Sequence, residues 1–289
     1  MKEKSILSQR RSVGERIVFG IAFAIFFIYS LSMIYLFVWG FLSSLKENRE
    51  FFNHPFALPE KWLFSNYIEA FKVLRYQDTN FVGMIFNSLW LTCGSIFLGL
   101  MSCSLTGYVF ARYEFRGKGF MYGVVLFTMI IPIMGTGAAY YKLIYTLQIN
   151  DSPLFLITAL GGFGMNFIIF NGIYKGMPKD YMDASFIDGG GHFYTYFRIM
   201  LPMAIPPMSA LAITGFIGGW NDYMTSLMYM EKFPTLAAGL YFYQKELQFA
   251  SNEPLYFAGA LMCAVPVLVI FIIFQNKVME SVTVGGLKG

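Results

Sequence analysis

The sequence predicts an all-α membrane protein of six transmembrane helices. Composition and the length of the apolar blocks set the class, and the placement of Lys and Arg sets the orientation. Hydrophobic residues make up 56% of the 289 positions and charged residues only 13%. Soluble domains carry about 25% charged residues, so a chain this long with half that charge cannot clothe a globule in polar surface.

Six apolar blocks reach the ~20 residues that a helix needs to cross about 30 Å of hydrocarbon. They are Ile17–Leu42, Phe81–Phe110, Phe120–Tyr145, Leu154–Tyr174, Ala204–Met230 and Leu255–Phe274. Their length and interior glycines exclude the strands of an outer-membrane barrel. A helix then remains as the structure that satisfies its own backbone in lipid. The first block is longer than a secretion signal's apolar core and no small-x-small cleavage site follows, so it is read as an uncleaved span. This gives a tail at 1–16, a transmembrane domain at 17–280 and a second tail at 281–289.

With the N-terminus inside, thirteen Lys and Arg fall on inner segments and eight on outer ones. Acids sharpen the bias to about +6 inside and −1 outside. Both termini are therefore expected in the cytoplasm. The net charge of +4 is a topology signal and gives no reason to expect nucleic acid. Cys93, Cys103 and Cys263 lie within predicted spans without CxxC spacing, and read as packing residues. His54 and His192 fall on opposite sides of the membrane, so no metal site is expected.

Between the first two blocks, "SNYIEAFKVL" reads as a short amphipathic helix. Asn66 and Glu69 are placed for a capping box, and Tyr67, Phe71 and Leu74 for one apolar face. It suits the outer membrane surface or a packed loop equally. Gly94, Gly99, Gly107, Gly135 and Gly137 suggest close helix approach, and Pro132 and Pro266 suggest kinks. Nucleotide-binding and catalytic signatures are missing: the chain has no GxxxxGK[ST], GxSxG or HExxH. No catalytic residue is expected. "WNDY" places Trp220, Asn221, Asp222 and Tyr223 near the middle of the fifth block, where a carboxylate is expensive and faces a pathway or a partner. A proton relay through Asp222 is the alternative reading.

The stretch "DYMDASFIDGGGHFYTYFRIMLPMAIP" interrupts the apolar pattern. Pro178 suits a helix start, and Asp180 and Asp183 suit its positive end. Met182 and Phe186 form a small apolar face. Gly189 is placed to end the helix in a left-handed conformation. "HFYTYFRIM" starts a second helix with Phe193, Phe197 and Met200 on one side, and Leu201-Pro202 is expected to bend the chain into the fifth block. Such an elbow exceeds a plain connection and reads as a protein-docking surface.

These residues resemble the EAA loop of permease subunits in binding-protein-dependent ABC importers. Asp183-Ala184-Ser185 precedes Gly189, Ile199, Leu201 and Pro202 at that family's spacing. Asp183 stands where the family has Glu, and Ser185 where it has Ala. "PEKWLFSNYIEAF", "NSLW", "GYVFARYEFRGKG", "WNDY" and the ending "VTVGGLKG" are similar to the carbohydrate-uptake class, the class of the maltose importer.

The resemblance implies a type I ABC importer permease (MetI-like) fold with a coupling loop at 176–203. It implies a heterodimer with a second permease subunit, two ATPase subunits beneath it, an extracellular solute-binding protein, and a place in the bilayer of a bacterial or archaeal cytoplasmic membrane. No cofactor is bound by this chain, ATP and Mg2+ being held by the ATPase subunits. Met182, Asp183, Ala184, Phe186 and Gly189 would engage an ATPase subunit, and Phe197, Ile199, Leu201 and Pro202 would carry its motion inward. Trp220, Asn221, Asp222 and Tyr223 would line or gate the pathway. An importer of another solute, such as an amino acid or phosphonate, is the alternative within the family.

Overall fold

The computed structural model describes residues 13–130, 136–247 and 252–286, and every regular element among them is helical. In chain order these are α1 (Val13–Ser44), α2 (Asn48–Asn53), α3 (Ser65–Val73), α4 (Phe81–Arg112), α5 (Lys118–Ile130) and α6 (Thr136–Thr146). A 3-10 turn (Pro153–Ala159) leads to α7 (Met165–Gly176), α8 (Asp180–Ile187) and α9 (His192–Thr195). A π-helical turn (Tyr196–Met200) then joins α9 to α10 (Leu201–Trp220), followed by α11 (Met224–Tyr229), α12 (Leu236–Leu247) and α13 (Glu253–Gly286). Among the described residues four helices are long and apolar enough to cross a membrane: Gly14–Ser44, Phe81–Arg112, His192–Trp220 and Glu253–Gln275. Two compact units divide the described residues, one within 1–70 and 251–261, the other within 71–250 and 262–289.

In the first unit α1 is apolar on all sides, as a span in lipid should be. Its end is tied down by polar contacts. The Asn66 amide donates to the carbonyls of Ser44 (2.8 Å) and Lys46 (3.0 Å), satisfying groups that a helix C-terminus leaves open. The buried Lys46 ammonium donates to the carbonyls of His54 and Pro55. The expected capping box is therefore not formed: α3 starts at Ser65, two residues before the start that an Asn66 cap would give, and the Asn66 side chain is taken up by the end of α1. Phe71, at the start of the second unit, is exposed where Ala70 and Leu74 are buried, and its ring meets Phe81 in a tilted contact at 4.9 Å.

In the second unit α4 packs against α7, α10, α12 and the 3-10 turn. Lipid supplies no hydrophobic drive between helices, so close backbone approach has to supply the attraction. Gly107 permits it: a Cβ there would lie 2.7 Å from Phe170 Cβ and 3.0 Å from the Asn171 amide. Gly94 does the same under Leu156, whereas Gly137 faces open space. Gly135 and Pro132 lie outside the described residues.

Three predicted blocks are not single helices. The third comprises α5 and α6 on either side of residues outside the description. The fourth breaks at 160–164, where Gly162 and Gly164 take left-handed φ of +63° and +111°. Irregular backbone at membrane depth needs partners within the protein. α4 provides them, Thr106 Oγ1 donating to the Gly162 carbonyl and Cys103 Sγ to that of Phe163. The fifth block ends its helix at Trp220 and resumes at Met224, so Asp222 lies in a turn and not in mid-helix. Upstream, the chain does not leave the helix at Leu201-Pro202. The chain runs helically from His192 to Trp220, and the π turn takes up the register change at Pro202, whose missing N–H falls in the first turn of α10.

Candidate functional site

Two polar regions punctuate the second unit: the elbow at 176–203 and a cleft beside Asp222.

The elbow is built on α8. Asp180 and Asp183 occupy its first turn, where the helix dipole favours anions. Its end is a Schellman motif: the Gly189 N–H donates to the Phe186 carbonyl (3.1 Å) and the Gly190 N–H to that of Ser185 (2.8 Å). Gly189 sits at φ +80°, the left-handed conformation that its position suggested. Gly190 is required by space, since a Cβ there would lie 2.5 Å from Ser185 Oγ and 2.8 Å from the Ser185 carbonyl. α8 and α9 are joined by a buried bond between the Ser185 and Thr195 hydroxyls (2.8 Å), and Thr195 Oγ1 also donates to the Gly191 carbonyl.

A tyrosine cluster fastens the elbow to the bundle. Tyr174 and Tyr196 both reach the buried Ser104 hydroxyl, at 2.7 and 3.0 Å. Tyr108 packs its ring on Tyr174 and Tyr196 and donates to Met182 Sδ at 3.7 Å. Tyr113 bonds His192 Nδ1 at 2.8 Å, and the His192 ring meets Phe186 edge-on. Arg112 donates to the Met177 carbonyl at the end of α7 (2.6 Å).

Met182 and Phe186 therefore face this chain's own aromatic residues. The outward surface consists of Tyr181, Asp183, Ala184 and Ile187, joined by Phe193, Tyr194 and Phe197. Ile187 alone is 85% exposed. The expected common face of Phe193, Phe197 and Met200 is split: the first two are exposed and Met200, the last residue of the π turn, is buried. Ile199 and Leu201 pack on the core around Tyr196 and Met200, while Pro202 is exposed.

The four residues of "WNDY" go separate ways. Trp220 is buried, stacks on Phe216 and donates its indole N–H to the Cys263 carbonyl on α13 (2.9 Å). The Asn221 amide caps α10 by donating to the Ile217 carbonyl (2.8 Å). Tyr223 stacks on Tyr241 of α12 at 4.6 Å. Asp222 Oδ1 accepts from the Thr225 N–H (3.0 Å), which starts α11. Only Asp222 reaches a cleft, of about 360 Å³, bounded by α4, α6, the 3-10 turn, α10 and α11. Thr92, Ser95, Tyr140, Thr158 and Thr225 share its lining, which holds no titratable group able to pass a proton onward besides Asp222 and the Tyr140 phenol. Gly215 and Gly219 bring α10 onto α4 at this level, Gly219 against Thr92 and Gly215 against Ile96.

Sequence reading missed the tyrosine cluster, the π turn and the cleft hydroxyls. Scattered Ser, Thr and Tyr in apolar helices carry no local signal of convergence. The pair Gly215 and Gly219, a small-xxx-small spacing, was the one available hint.

Residues 96–277 match the family described as binding-protein-dependent transport system inner membrane component. Among curated relatives, the chain is 29% identical to the diacetylchitobiose uptake system permease protein NgcG of Streptomyces coelicolor, over 96% of this chain and 92% of that protein. It is equally 29% identical to the arabinooligosaccharides transport system permease protein AraQ of Bacillus subtilis, over 94% and 97%. A crystal structure of a bacterial ABC transporter involved in alginate import superposes with a TM-score of 0.74 at 21% identity, covering 93% of this chain and 99% of that one, and so shares its fold. With a family match over most of its length, the chain belongs to the inner membrane components of binding-protein-dependent transport systems.

Proposed function

We propose that this chain is a permease subunit of an ATP-driven importer of sugars or oligosaccharides. It forms half of a translocation pathway with a second permease subunit and sits as a multi-pass protein in a bacterial cytoplasmic membrane. The relatives' carbohydrate substrates and the hydroxyl-lined cleft support the sugar class. The six-span topology with both termini cytoplasmic follows from the charge bias, the third and fourth crossings being broken helices.

The observation that carries the mechanism is the two-sided elbow. Its inner side is bonded to α4 and the residue after it, Met182 to Tyr108, Tyr196 to Ser104 and His192 to Tyr113, while its outer side presents Asp183, Ala184 and Ile187. A part built this way transmits force. An ATPase subunit that grips the outer face moves α8, and the continuous helix from His192 to Trp220 carries that motion to the cleft. ATP and Mg2+ belong to the two ATPase subunits, and an extracellular solute-binding protein delivers the sugar.

Gly189→Asp tests the coupling. A side chain at φ +80° is strained by about 1–2 kcal/mol, and the added charge adjoins Asp188. The assembled complex is expected to reach the membrane and hydrolyse ATP without sugar uptake in proteoliposomes. Uptake at the unmodified rate would reject the elbow as the coupling element.

A further inference from the structure

We propose that the cleft beside Asp222 is a sugar-ring subsite on this chain, selective for uncharged rings, a reading that rests on the permease function above. A sugar ring presents an apolar C–H face and a rim of hydroxyls, each both donor and acceptor. The cleft offers a counterpart to each. Tyr140 supplies a half-exposed aromatic wall, held edge-on by Tyr229 at 5.3 Å. The same lining holds hydroxyls from three elements: Thr92 and Ser95 on α4, Thr158 on the 3-10 turn and Thr225 on α11. Those of Thr92, Ser95 and Thr225 make no hydrogen bond among the described residues, although Thr92 is only 3% exposed.

Asp222 completes the set. The Thr225 N–H holds Oδ1, which fixes the carboxylate plane and leaves Oδ2 without a donor among the described residues. A carboxylate so oriented accepts from two neighbouring hydroxyls of a ring, bonds stronger than those between neutral groups. It also repels a uronate, and no Lys, Arg or His lines the cleft to offset that repulsion. The volume of about 360 Å³ lies in the range of roughly 300–1,000 Å³ of small-molecule pockets. Gly219 keeps the space open, because any side chain there would press on Thr92.

The test uses the full importer in proteoliposomes, with radiolabelled diacetylchitobiose, arabinotriose and maltotriose as probes. Tyr140→Ala and Asp222→Asn are each expected to lower uptake of the transported probe by about tenfold, the effect of losing a stacking wall or a bond to a charged acceptor. ATP hydrolysis stimulated by the loaded binding protein should persist, and Tyr140→Phe should keep most uptake. A second readout does not depend on turnover. Ser95→Cys, with Cys93, Cys103 and Cys263 replaced by Ala, should react with a membrane-impermeant thiol reagent and be protected by the transported probe. Normal uptake by Tyr140→Ala and Asp222→Asn, or reaction of Ser95→Cys without protection, overturns the subsite alone. A wild-type complex that imports none of the three probes overturns the sugar-importer reading and the subsite with it.

Discussion

The elbow and the cleft are two places in the second unit where this apolar chain turns polar, and they handle polarity in opposite ways. At the elbow the hydroxyls pair with one another: Ser185 with Thr195, and Ser104 with Tyr174 and Tyr196. The apolar residues Ile187, Phe193 and Phe197 are left outside. In the cleft apolar residues such as Leu91, Ile96 and Phe155 share the lining, while Thr92, Ser95 and Thr225 keep hydroxyls that make no hydrogen bond among the described residues. Paired hydroxyls make a rigid part that offers an apolar surface to a protein. Unpaired hydroxyls make a surface that only water or a hydroxylated solute completes. The contrast separates a lever from a passage.

The comparison breaks most readily at the glycines. Gly190→Ala forces a Cβ against the Ser185 carbonyl, a backbone atom that cannot swing aside. It should cost about 2–3 kcal/mol and abolish coupling, read as ATP hydrolysis without uptake and a lowered melting temperature of the complex. Gly219→Ala places its Cβ 2.9 Å from Thr92 Cγ2, a side chain with some room to rotate. A smaller cost of about 1 kcal/mol is expected, with reduced uptake and retained coupling. Should the two variants fail in the same way, elbow and cleft would not be functionally distinct.

Hydroxyl removal sharpens the contrast at lower amplitude. Ser185→Ala, with Thr195→Val to avoid an orphaned partner, deletes the buried bond between α8 and α9. The pair should lose about 1 kcal/mol and loosen α8, visible as faster amide exchange at Ser185–Gly190. Unchanged exchange would mean that the tyrosine cluster alone holds the elbow.

The smallest effect is expected at Glu114. Lys118 lowers its carboxyl below the usual range, first by a hydrogen bond at 2.7 Å and then by its charge. A depressed carboxyl stabilises above its unfolded pKa and loses that contribution as pH falls through the lower folded value, so the contribution is present in full at neutral pH. The side chain is 89% exposed, so water and salt screen the pair. Glu114→Gln should leave both melting temperature and uptake unchanged at neutral pH, and a marked loss would assign this loop to the lever.

The sequence by itself determined the class, the first, second and sixth apolar spans and the start and stop of α8. Each depends on local chemistry: an apolar run is long enough or it is not, and Gly189 either accommodates a left-handed turn or strains. Tertiary structure decided the rest. Asn66 looks like a cap until α1 takes its amide, and Asp222 looks like a charge buried in mid-span until the helix ends at Trp220. The break at Gly162–Gly164 is tenable because Thr106 and Cys103, far away in sequence, meet its carbonyls. Inside a bilayer an unmet polar group is so costly that its partner decides what the group does. That partner is known only once the helices are packed.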